Sequence, residues 1–315
     1  MDTDYLCSRI HPKLTGLSPR VVVYVIESKD GKQRLYVPGR RTPPHLVAQL
    51  HEKIIAFSLR AVLALGEHVE RWSLSPRTVV GVTIFTEGLG APFTRAFAKV
   101  WPDEAVGGVC AAWSKRRVLQ KKALPETSYT LYAARVIHFD DTALRYLPSN
   151  EGTLVFFDIG ATGSTMRATV PQIVASANGK VTKAIFASPC TSLYAIKAFV
   201  EAATESGLKE ENLAVVANEG IFGLGKDGTA LSLRLPGAIA SSGNLKLSET
   251  VYPNPEFCHI GAGGLAATCY PAYLEELIQD EEEWGKLPNF GSLKEAMEQA
   301  GVSWPDDFGR INRKK

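Results

Sequence analysis

With 315 residues the chain is long enough for one large core or two modest ones. It is 45% hydrophobic and 22% charged, the balance of an ordinary globular protein. Its net charge of +2 invites no nucleic acid, and no apolar run approaches the ~20 residues of a bilayer-spanning helix, so neither nucleic-acid nor membrane partners are expected.

The first residues, Met1–Tyr5, lack the basic and apolar regions of a secretory signal. Cys7, Cys110, Cys190, Cys258 and Cys269 form no Cys-x-x-Cys pair, and an odd, scattered set reads as reduced thiols in the cytoplasm. No His-x-x-x-His pair is present, so no zinc site is indicated.

Val21–Ile26 and Arg34–Val37 flank Asp30-Gly31, the pattern of an N-terminal β-hairpin. Pro43-Pro44 opens a helix to about Glu70, with Leu46, Leu50, Ile54, Leu59, Val62 and Leu65 as its apolar stripe. Strands are then expected at Thr78–Phe85, Ala105–Ala112 and Tyr129–His138, with a helix over Ala91–Val100. The run Leu154–Phe157 leads into a turn and a helix from about Thr165. Strands at Ala184–Phe186 and Leu213–Ala217 enclose a helix over Thr191–Glu205. This alternation predicts an α/β fold, a mostly parallel sheet with helices on both faces.

Residues 218–268 are rich in Gly, Ser, Asn and Pro and read as a long irregular stretch, of the kind that is functional or disordered. Beyond Tyr270 the chain is more charged, with a short amphipathic helix expected over Ser292–Ala300. With no repeat and no clear linker, residues 1–315 are expected to form a single domain. In it, 218–268 serves as an elaborated hood and 270–315 as a C-terminal extension.

The most informative stretch is Thr153–Thr165, in which an apolar run ends in Asp158 and gives way to small and hydroxyl residues. Such a turn suits a sugar phosphate. Small residues let the backbone approach, N–H groups point inward, and the helix start adds positive potential. Asp158 ends a buried strand, where a carboxylate is costly unless used, and it can take ribose hydroxyls or magnesium. Helix capping by Ser164 or Thr165 is compatible with the same reading. Glu87 reads either as a magnesium ligand or base, or as a surface turn residue. Gly88 and Gly90 permit close backbone approach or make a plain turn. Glu219 follows the last strand, where α/β sites bind ligands. His259, in a Gly-rich turn, is read as structural.

The segment Phe156–Thr165 resembles the phosphoribosyl-pyrophosphate (PRPP) loop of type I phosphoribosyltransferases, with Phe157 replacing one acid of the usual pair. Three further segments resemble uracil phosphoribosyltransferase: Thr78–Gly90 its pyrophosphate loop, Val100–Gly107 the segment that follows, and Asn218–Gly220 with Leu235–Gly243 its uracil loop. The matches keep the family order from about residue 44 to 245.

The resemblance implies a magnesium-assisted, homodimeric cytoplasmic transferase acting on PRPP and a small-molecule acceptor. It assigns Asp158 and Glu87 to catalysis. Gly160, Ala161, Thr162, Gly163, Ser164, Thr165, Thr86, Gly88, Lys115 and Arg116 fall to PRPP, and Glu219, Gly237, Ala238 and Ile239 to the acceptor. Departures from the family accompany it. Its pyrophosphate arginine falls at Thr86, and its glycine–aspartate pair at Ile239-Ala240. The arginine after its third strand falls near Trp113, with Lys115, Arg116 and Arg117 following in what reads as a flexible cationic loop to Lys122. The acceptor is therefore expected to differ from uracil. The alternatives are a non-catalytic nucleotide- or PRPP-binding member, an enzyme of other ribose-phosphate chemistry, and uracil phosphoribosyltransferase proper.

Overall fold

The computed structural model describes residues 5–28, 55–56, 58–66, 69–72, 74–85, 96–100, 109–118, 132–225, 228, 230–251 and 260–261. Its centre is an eight-stranded sheet in the order β1-β2-β8-β7-β6-β3-β4-β5. The strands are β1 (Tyr5–Arg9), β2 (Val22–Ser28), β3 (Val79–Phe85), β4 (Val109–Val118), β5 (Tyr132–Asp140), β6 (Gly152–Phe157), β7 (Val181–Ser188) and β8 (Leu213–Asn218). The six inner strands run parallel, and antiparallel β1 and β5 close the two edges.

Period-2 alternation sorts the strand side chains into two cores. On one face Val23, Val82, Phe156, Phe186 and Val215 meet Met166, Val170 and Phe199 of the helices Ser164–Ser176 and Leu193–Glu205. Phe199 lies 5.8 Å from Phe156 and 5.5 Å from Phe186, ring centre to ring centre. Burying each such ring stabilises by about 1.5–3 kcal/mol. On the other face Val22, Tyr24, Val155, Ile185 and Val216 meet Ile55, Leu59, Val62 and Leu65, from helical residues 55–56 and 58–66, and Phe97 from helical residues 96–100. The expected α/β sheet with helices on both faces is therefore present.

Cys7, Cys110 and Cys190 are free thiols. Burial first, and then the charges of Asp140 and Asp141, push the Cys110 thiol up to about 12, so it behaves as an apolar core group. Among the described residues no helix is long and apolar enough to cross a membrane.

Three local expectations are corrected. The antiparallel partner of β2 is β1, because β1 and β8 occupy its two sides; Arg34–Val37 lie outside the described residues. β4 does not end at Ala112. It continues through Lys115, Arg116 and Arg117, paired with Arg135, Ala134 and Ala133 of β5, so these cations stand on a strand rather than a flexible loop. A ribbon that leaves the sheet needs no buried alternation, so its charges do not interrupt it. The irregular stretch from 218 holds regular structure too. β9 (Gly223–Leu224), β10 (Ala230–Ser232) and β11 (Ile260–Gly261) form a small sheet, and Ser242–Val251 is a helix. Ser241 starts that helix, its Oγ accepting from the Asn244 N–H at 3.2 Å.

Candidate functional site

The sheet order locates the site. From β3 the chain proceeds outward to β4, and from β6 it proceeds the other way to β7. The covering elements obey this reversal. Helical residues 96–100 lie on one face and Ser164–Ser176 on the other, as right-handed crossovers in opposite directions require. The carboxyl ends of β3 and β6, at Phe85 and Phe157, therefore border a switch-point crevice, the place where open α/β sheets bind ligands.

Asp158 opens the turn after β6. It is 6% exposed, its Oδ1 accepts from the Ile159 N–H at 2.8 Å, and its carbonyl accepts from Ser188 Oγ at 2.7 Å. The turn then joins its neighbour. Gly160 N–H donates to Cys190 O at 3.0 Å, Ser192 N–H donates to Gly160 O at 2.7 Å, and Ser192 Oγ donates to Ala161 O. One step further along, Phe222 N–H donates to Thr191 O at 2.8 Å. The turns after β6, β7 and β8 are thus laced together beyond the end of the sheet.

The two glycines of the turn have a packing cause. A Cβ on Gly160 would stand 2.6 Å from Ala195 Cβ and from Thr191 Oγ1. Gly163 has φ +77, and a Cβ there would overlap Ala198 Cβ and come within 2.9 Å of Ala195 Cα. Both glycines let the Leu193–Glu205 helix sit against the turn. The glycine pattern is therefore accounted for without a ligand, and the chemistry rests on the other groups.

Those groups are donors. Gly163 precedes the helix in the left-handed conformation with no side-chain cap. Among the described residues nothing accepts from the backbone N–H groups of residues 162–166, the first turn of the helix. Thr162 and Ser164 are partly exposed beside them, their hydroxyls 3.5 Å apart, while Thr165 is 5% exposed. Uncommitted N–H groups with two hydroxyls at a helix start suit an anion such as a phosphate.

The β8 end is different in kind. Glu219 is 2% exposed with φ +63, and its Oε2 accepts from Asn244 Nδ2 at 2.9 Å. The neighbouring Asn218 donates from Nδ2 to Ser58 Oγ at 2.7 Å, while its buried Oδ1 has no partner among the described residues. Ile239 is half-buried and pairs with Ile221 in both directions at 2.8 Å. Gly237 is exposed with φ +83, and Ala238 is half-buried beside it. Glu219 and Ile239 thus lie near each other through the Ile221–Ile239 pairing, on the same edge as Asp158. Thr86, Glu87 and Gly88 lie outside the described residues, as do Gly90 and His259. Lys115 and Arg116 stand on the part of β4 that passes Trp113, the partner of Phe85, and so projects beyond the carboxyl edge.

Two residues of this region escape sequence reasoning. Asn244 carries a recognisable local signal in the cap Ser241-x-x-Asn244. Glu27, whose Oε1 accepts from Asn244 Nδ2 at 2.9 Å, carries none, because its partner lies 217 residues away. As for magnesium, no group of three or more His, Cys, Asp or Glu side chains is assembled among the described residues. A single carboxylate at Asp158 still fits magnesium, which commonly takes one or two carboxylates together with water and phosphate oxygens.

No family model matches the chain, and no curated protein does. Among solved structures, an adenine phosphoribosyltransferase from Trypanosoma brucei, in complex with AMP, pyrophosphate and ribose-5-phosphate, is similar at a TM-score of 0.33 and 13% identity, over 67% of this chain and 87% of that one. At that TM-score the likeness assigns neither a family nor an activity.

Proposed function

We propose that the protein is a phosphoribosyltransferase-like enzyme that binds PRPP, or a related ribose 5-phosphate ligand, at the carboxyl edge and transfers the phosphoribosyl group to an acceptor other than uracil. The observation that carries this reading is the position of Asp158–Thr165 at the switch point, with no acceptor among the described residues for the N–H groups of residues 162–166. In this reading these N–H groups, with the Thr162 and Ser164 hydroxyls, hold the 5′-phosphate. Asp158 takes the ribose hydroxyls, directly or through magnesium, which neutralises the diphosphate when bound. The β4–β5 ribbon, with Lys115 and Arg116, is the source of cations for the leaving group, in place of the arginine absent at Thr86. The acceptor lies toward Glu219 and Gly237–Ile239.

Chemistry of this kind needs little covalent help. The protein positions two reactants and screens developing charge. Incubation with PRPP, magnesium and a panel of acceptors, read by pyrophosphate release, tests the reading. Asp158→Asn should lower turnover or ligand affinity without unfolding the chain. Retention of full affinity and full turnover in that variant defeats the assignment of Asp158.

Uracil is the sharpest single acceptor to test. The stretch Pro236–Gly243 has Ala238, Ile239 and Ala240 at its centre, and these three cannot supply the side-chain hydrogen bonds of a pyrimidine-reading loop. Negligible uridine monophosphate is expected from uracil and PRPP by chromatography. Turnover near about 1 s⁻¹, within the ordinary enzyme range, is the contrary result. A second reading, binding without catalysis, is favoured by Thr86 and Glu87 falling, in the sequence resemblance, at the family's pyrophosphate arginine and its neighbour. It predicts tight binding of a nucleoside monophosphate with no pyrophosphate released.

A further inference from the structure

Asn244 Nδ2 lies 2.9 Å from Glu27 Oε1, 2.9 Å from Glu219 Oε2 and 2.8 Å from the Glu219 carbonyl oxygen. The three residues are 6%, 9% and 2% exposed for Asn244, Glu27 and Glu219. An amide nitrogen brings two protons, so the three acceptors must share them. Two of those acceptors are carboxyl groups, one from β2 and one from the turn after β8, held side by side away from water. That is a costly arrangement unless a donor stands between them.

The same amide also braces an unfavourable backbone. Glu219 has φ +63, a left-handed conformation that a residue with a side chain adopts at a cost. Its carbonyl is one of the three acceptors, and its N–H donates to Ile26 O at 2.8 Å. From there the turn is fixed outward, by Ile221 against Ile239 and by Phe222 against Thr191. Asn244 is thus the point where the Ser242–Val251 helix grips the turn after β8.

We propose that Asn244 is a positioning residue for the acceptor end of the site. It holds the carboxyl group and carbonyl of Glu219, so that Gly220–Phe222 and Ile239 form a fixed wall against the group joined to the ribose. The identity of that ligand rests on the phosphoribosyl reading; the grip of Asn244 on the turn does not.

Two measurements on the full chain test this, with Asn244→Asp and the double variant Asn244→Asp/Glu219→Gln. The single change replaces the donor by a third carboxyl group. The double change restores one amide and two carboxyl groups among the three side chains, but no donor to the carbonyl of residue 219, so recovery is expected to be partial. By calorimetry, wild type is expected to bind at least one of the adenosine, guanosine, uridine and cytidine 5′-monophosphates more tightly than ribose 5-phosphate. Asn244→Asp should weaken that monophosphate at least tenfold while changing ribose 5-phosphate less than twofold, and the double variant should recover much of the loss. Equal loss for both ligands, no loss, or no recovery overturns the proposal. If wild type binds none of these ligands, the phosphoribosyl reading fails and the grip is read by hydrogen exchange alone. Asn244→Asp should then speed exchange of residues 219–222 and 242–251 together, and the double variant should slow it again. Unchanged exchange in the single variant, or no slowing in the double, overturns it.

Discussion

Two stretches of one sheet edge use their polar groups in opposite ways. At the turn after β6, nothing among the described residues accepts from the backbone donors of residues 162–166, and Thr162 and Ser164 are partly exposed. At the turn after β8, Glu27, Asn244 and Glu219 are hydrogen-bonded together below the surface. In the proposed reading the first stretch receives charge from outside, and the second holds a shape. Polar residues at the end of a parallel sheet are therefore not equivalent signs of a site. Whether their bonds are already taken decides what they can do.

The largest test of this contrast concerns Gly163, whose place is set by packing. Gly163→Ala forces a Cβ into Ala195 and Ala198 and keeps a side chain at φ +77. It should cost about 2–4 kcal/mol of stability in urea denaturation, from overpacking plus backbone strain. Adding Ala198→Gly should recover the packing part alone. A Gly163→Ala protein as stable as wild type would mean that the glycine serves the ligand and not the helix.

Next in size is the donor side. Thr162→Val with Ser164→Val should weaken PRPP or a nucleoside monophosphate at least tenfold, about 1.4 kcal/mol, and leave the melting temperature almost unchanged. Unaltered affinity by calorimetry would remove the phosphate from this turn. The smallest effect is expected at the Arg167–Glu201 pair, 2.7 Å apart and about half exposed on both sides. It links the same two helices that Gly163 brings close. Arg167→Ala should cost under about 1 kcal/mol and less in high salt. A larger loss would mean that charge, rather than small residues, holds these helices together.

The sequence is most legible where the chain is most buried. The expected strands Leu154–Phe157, Ala184–Phe186 and Leu213–Ala217 fall inside β6, β7 and β8, since continuous apolar runs between small turn residues have few other uses. The outer strands are harder. β1, Tyr-Leu-Cys-Ser-Arg, carries no apolar run, and β4 continues through three cations. Among the described residues β1 pairs with β2 alone, and β4 beyond Trp113 with β5 alone. The meaning of the glycines is hidden for another reason. Gly160 and Gly163 answer to Ala195 and Ala198, and no local pattern couples those positions. The Glu27–Asn244 contact is invisible for the same reason on a larger scale.

The sheet order also carries a consequence for how the molecule assembles. β6, β7 and β8 follow one another in the chain and lie side by side, each joined to the next by one helix. Closing such short loops is entropically cheap, so residues 152–218 are suited to organise early. β2 must wait. Its parallel pairing with β8 starts at Ala214, opposite Val22, and the chain from the ribosome offers that partner only after most of the sheet has been made. The turn that bears Asp158 can therefore form on a nascent chain while Glu27 is still without its amide. The part proposed to receive charge is ready first, and the part that fixes the shape arrives last.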